Sequence, residues 1–255
     1  MAVELPALLS PAPVAPDGQE GGSTCSFRLI SLEAMSQPSD LYTAICTPSN
    51  DVGVATPDRT TFEAHLARRR YGRFTLTEAV RPAWQLGIIP EAGYRLDVYA
   101  DPTNGSRLPA LVAAVSSERL FETFLRLLEP LGDTCDVIVE SSHDRKNAPD
   151  EWTREGIERI LLESLLWDFD DLLLNDGCTG IAVMHPTCPL EVQLDEHKLL
   201  VMYALDLSPF EQILFKQGIR RNDGLRVISQ GDHMHTSSGR YGRRFGDLTA
   251  RLHAD

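Results

Sequence analysis

His233-Met234-His235 is the chain's clearest opportunity for chemistry. On a β-strand side chains alternate between faces, so two histidines one residue apart present both imidazoles on the same side. Neutral imidazole is a usual ligand for zinc, copper or iron, and such a pair needs one or two further donors to hold an ion. His143 is the first choice, because it follows the apolar run Val137-Ile138 as His233 follows Val227-Ile228; Asp144 and His185 are the other donors considered. The expected metal set is therefore His143, His233 and His235, with a divalent ion such as zinc as the cofactor. No HExxH or similar diagnostic spacing occurs, so a plain surface histidine turn is the competing interpretation.

Two other groups suggest binding rather than catalysis. Asp195-Glu196-His197-Lys198 concentrates charge at a hairpin tip, and Asp195, Glu196 and His197 are candidate binding residues because loops on a rigid scaffold carry recognition. Arg240 and Arg243 flank Tyr241, a composition able to hold anions or stack on rings, although basic helix ends have the same look. Cys178, His185 and Cys188 do not match a common zinc module, and phosphate-binding glycine loops and EF-hand patterns are absent.

The 255 residues carry a formal net charge of −13, which argues against general nucleic-acid binding, since release of phosphate counterions needs a basic surface. Five cysteines without a CxxC pair suit a reducing compartment, and a cytoplasmic location is expected. The longest apolar stretch, residues 160–174, is interrupted by Glu163, Asp168, Asp170 and Asp171, so no membrane span is expected.

The elements that would position these groups follow from periodicity. Residues 1–24, rich in proline and glycine, read as a disordered tail; 25–92 as a segment with a first strand at 25–32, a long loop and short helices, the second over 75–86. Residues 93–144 read as strand, strand, helix, strand, and 145–177 as a helical connector. Residues 178–255 repeat the earlier order, with a last strand at 225–229 and a C-terminal helix. Leu111-Val112, Phe121-Glu122, Val137-Ile138 and His143 match Leu200-Val201, Phe210-Glu211, Val227-Ile228 and His233 in order, which suggests a duplicated unit. The expected class is α+β, with a mixed or largely antiparallel sheet built from two similar units.

No nucleophile, base and orienting group can be assembled from the sequence. The leading expectation is thus a non-enzymatic protein-binding or adaptor module with an acidic surface and another protein as partner. The alternative is a metal-dependent hydrolase using the His-x-His pair, because a bound ion would generate the nucleophile that the side chains do not supply.

Overall fold

The computed structural model describes residues 58–100, 105–143 and 150–253. The expected tail at 1–24, the strand at 25–32, most of the long loop and Asp144 lie outside them. In chain order the elements are α1 (Arg59–Ala67), β1 (Arg70–Tyr71), β2 (Phe74–Thr75), β3 (Val80–Pro82), β4 (Gly93–Ala100), β5 (Arg107–Ala114) and α2 (Ser117–Leu127). Then come β6 (Thr134–Ser141), β7 (Asp150–Glu158), α3 (Arg159–Trp167), α4 (Asp170–Asn175), β8 (Thr179–Met184), β9 (Leu190–Leu194) and β10 (Leu199–Ala204). The described chain closes with α5 (Ser208–Lys216), β11 (His233–His235) and α6 (Gly239–His253).

Seven strands form one sheet in the order β4-β5-β10-β9-β8-β6-β7, and every neighbouring pair is antiparallel. The mixed helix and antiparallel-sheet class is as the sequence leads one to expect. Successive residues of β10 serve opposite faces. Leu200 and Met202 join Val137, Ile181 and Val192 beneath the helices, with Phe124, Phe169 and Phe210 filling that layer. Leu199, Val201 and Tyr203 face the other way, against Phe74, Val80, Leu225 and Val227. Because both faces are covered, all six residues of β10 are buried and the strand is an unbroken apolar run.

Three local expectations are corrected. Residues 150–158, read as helix, are the edge strand β7, whose part-buried and exposed residues alternate against β6. Trp152 and Ile157 suit a helical face, but Gly156 at φ +68° bulges the strand so that both still reach the core. The helix expected over 75–86 is replaced by β2 and β3, with Pro82, which cannot donate to a helical ladder, in β3. Residues 225–229 make no sheet strand: the Gln230 side chain accepts from Val227 N at 3.0 Å and closes a turn of 3₁₀ helix over Ile228–Gln230.

β3 and β11 pair as a separate two-stranded ribbon, with His233 opposite Pro82 and His235 opposite Val80. Ala83 N to Asp232 O at 2.8 Å and Thr236 N to Ala79 O at 2.8 Å close its two ends. This ribbon carries the histidine pair.

Candidate metal centre

His233 and His235 extend from the same side of β11, and their Nε2 atoms stand 3.1 Å apart. The third imidazole beside them is His197, from the β9–β10 turn, with ring centroids 4.8 Å from His233 and 4.7 Å from His235. One ligating nitrogen from each of the three lies within 4.8 Å of the others. His143, expected here, is elsewhere.

The turn delivers His197 through its own hydrogen bonds. Asp195 O accepts from Lys198 N at 3.0 Å, and Asp195 Oδ1 accepts from Leu199 N at 2.7 Å, which closes the chain into a tight reversal. Lys198 adopts φ +63°, a conformation costing a non-glycine residue roughly 1–2 kcal/mol. Its side chain is buried, and Nζ donates to Thr179 O at 2.7 Å on the neighbouring strand. The tip is therefore folded against the body, with Asp195, Glu196 and His197 all part-buried rather than projecting into solvent.

Each Nδ1 faces an atom that can only accept. His233 Nδ1 donates to Gly231 O at 2.7 Å, His235 Nδ1 to Gly177 O at 2.7 Å, and His197 Nδ1 to Asp195 Oδ2 at 3.0 Å. All three rings consequently carry hydrogen on Nδ1, and a neutral ring then presents an unshared pair at Nε2. Burial, followed by repulsion from the neighbouring rings, pushes His235 below the usual imidazole range, and burial does the same to His233. His197 moves the other way: burial is the largest influence and opposes its charge, but the charge and hydrogen bond of Asp195 together with the charge of Glu196 raise it overall.

Gly177 is fixed in this arrangement by space. A Cβ there would lie 2.4 Å from Ala79 O and 2.9 Å from Thr236 O, so only glycine lets the α4–β8 loop bring its carbonyl to His235. Beside it, the fully buried Asp176 accepts from Thr179 Oγ1 at 2.5 Å and Ser237 Oγ at 2.5 Å, and from His143 Nε2 at 2.8 Å. This is where His143 resides. His185 caps its own turn instead, with Nδ1 accepting from Thr187 N at 3.1 Å and Cys188 N at 3.2 Å.

Arg240 and Arg243 lie on α6. Arg240 Nη2 is 3.3 Å from Asp171 Oδ2, and exposed Arg243 helps line a surface hollow with Asp171, Arg244 and Asp247. The imidazole missed from the sequence-derived metal set is His197, though it is among the binding candidates. Its signal lay in the pairing with Asp195 two residues before it, the kind of acceptor that orients metal-bound imidazoles.

No helix among the described residues is long and apolar enough to cross a membrane. No family model matches the chain, and comparison with curated proteins and with solved structures returned no match.

Proposed function

We propose that the protein is a metal-dependent hydrolase whose ion, of the zinc class, is held by His197, His233 and His235. The observation that carries this reading is the 3.1 Å approach of two Nε2 atoms whose rings both spend their hydrogen on backbone carbonyls. Two unshared pairs facing each other at that distance repel unless a proton or a metal ion lies between them, and burial works against the proton in both rings. In a tetrahedral site with zinc–nitrogen distances of about 2.0–2.1 Å, neighbouring nitrogens are about 3.3 Å apart, close to the observed spacing.

Three donors, rather than four, favour catalysis over a structural staple. Structural zinc sites are closed by four protein ligands, whereas catalytic ones keep a position for water. Among the described residues the cluster brings three donors, and Asp232, Thr236, Ser237 and Ser238 around it are exposed, so the remaining position faces solvent. On the inner side a cavity of about 20 Å³ reaches His197 and Lys198, room for little more than one water. Substrate would approach from the exposed rim.

In this reading Asp195 orients His197, and the carbonyls of Gly231 and Gly177 orient the other two rings. An ion of the zinc class held by these three rings would make water a competent nucleophile near neutral pH. Asp232, next to His233 and exposed, is the first candidate for general base.

The test is hydrolysis of aryl carboxylic and phosphoric esters by chelator-stripped protein before and after zinc is restored. Zinc-dependent turnover that rises with pH through about 7 and disappears in His235→Ala is expected. Turnover unaffected by stripping or by His235→Ala, or zinc binding with no hydrolysis of any ester in the panel, overturns the assignment.

A further inference from the structure

We propose that His143, Asp176 and Cys178 form a second metal site, which takes a thiophilic divalent ion of the zinc class through one nitrogen, one oxygen and one sulfur donor. One ligand atom from each of these residues lies within 4.8 Å of the other two. They come from two separate places: the end of β6, and the loop between α4 and β8.

The backbone aims them together. Asp176 and Cys178 flank Gly177 in the turn that leads into β8, where the close approach of Ala79 O and Thr236 O leaves room only for glycine. Ser142 N donates to Cys178 O at 2.9 Å, and this ties the end of β6, with His143 next in the chain, to the same loop.

The surroundings are those of a ligand set. Thr179 and Ser237 hydroxyls hold the two oxygens of Asp176, and the hydroxyls of Ser142 and Ser237 approach the thiol of Cys178. Metal-bound carboxylates and thiolates are commonly supported by hydrogen-bond donors of this kind. In the structure His143 Nε2 donates to Asp176 Oδ2 at 2.8 Å, and the ion would take the place of that hydrogen.

Asp176 is completely buried, and its charge is met within the protein by hydrogen bonds from Thr179, Ser237 and His143 and by the nearby buried ammonium of Lys198. The mixture of cysteine, histidine and aspartate is a zinc-type donor set, with thiolate disfavouring magnesium and calcium. His143 is about one-fifth exposed and lies against Gly242 of α6, where a Cβ would be 3.8 Å from its ring, so the site has an edge open to entry.

This site shares no ligand with the three-histidine centre, which it adjoins through Gly177, and Co(II) distinguishes them, because only thiolate ligation adds an intense sulfur-to-metal charge-transfer band in the near ultraviolet. The full chain, stripped of metal, is titrated with Co(II). Two equivalents are expected, one of them generating that band. Cys178→Ser and His143→Ala should each lose the band and one equivalent while the second equivalent's visible absorption persists, and the double variant His233→Ala with His235→Ala should do the reverse. Native circular dichroism for Cys178→Ser excludes simple unfolding; should it not fold, His143→Ala is read in its place. A wild-type protein without the band, or a band that survives in Cys178→Ser, overturns the proposal. If the band is present but His233→Ala with His235→Ala leaves the stoichiometry unchanged, the three-histidine centre fails and this site stands.

Discussion

Asp195→Asn changes one atom and should weaken metal binding without unfolding the protein. Asp195 uses one oxygen to accept from Leu199 N at 2.7 Å and the other to accept from His197 Nδ1 at 3.0 Å. Asparagine has a single acceptor oxygen. If that oxygen stays with Leu199 N, which closes the turn, the amide NH₂ faces the His197 N–H, donor against donor. The ring then moves its hydrogen to Nε2 to restore the contact, and loses the unshared pair aimed at the ion. Loss of an orienting partner of this type costs about 10–100-fold in affinity, or about 1.4–2.7 kcal/mol. The turn hydrogen bond survives, so the melting temperature of the metal-free protein should move by no more than a few degrees. Competition against a chromophoric zinc chelator at fixed pH and salt measures the affinity. An Asp195→Asn protein that binds zinc within twofold of wild type would refute the orienting role, as would a loss equal to that of His197→Ala.

Two further predictions concern the frame. Gly177→Ala should destabilise the protein by about 1–3 kcal/mol in urea, because its Cβ must displace the Ala79 carbonyl, whereas Gly246→Ala, an open position in α6, should be neutral or stabilising by up to about 1 kcal/mol. Equal effects at the two positions would contradict the close approach at Gly177. Burial raises the Glu191 carboxyl from 4.5 to about 7, so between those values the native state binds more protons than the unfolded state and stability falls as pH rises. Glu191→Gln should therefore match wild type near pH 4.5 and exceed it at pH 8 by up to about 3 kcal/mol; a pH-independent difference in urea midpoints would count against this.

Much of the sheet is legible from alternation and turn chemistry. β9 announces itself by alternation before Asp195 and β10 as an apolar run after it, and β4 with β5 reads as a hairpin in the same way. β7 is not legible in this way: Trp152 and Ile157 fit a helical face as well as a bulged edge strand, and only the pairing with β6 decides between them. The same limit governs the three-histidine cluster. His233 and His235 share a face because of strand periodicity alone, a local property. His197 reads as an exposed tip, since the burial of Lys198 and the contact between that turn and β11 depend on residues 19 and 36 positions away in sequence. His143 was assigned to the pair by analogy between two similar stretches, yet β11 leaves the large sheet to pair with β3, and the loop after β6 meets Asp176 instead.

The central claim is that His197, His233 and His235 hold one ion through their Nε2 atoms. Anomalous diffraction at the zinc edge from crystals of zinc-loaded protein tests it directly. A peak is expected about 2.0–2.1 Å from all three Nε2 atoms, with oxygen as the remaining ligand. A crystal with no peak among the three rings, or with the rings' Nδ1 atoms turned toward the ion, would contradict it.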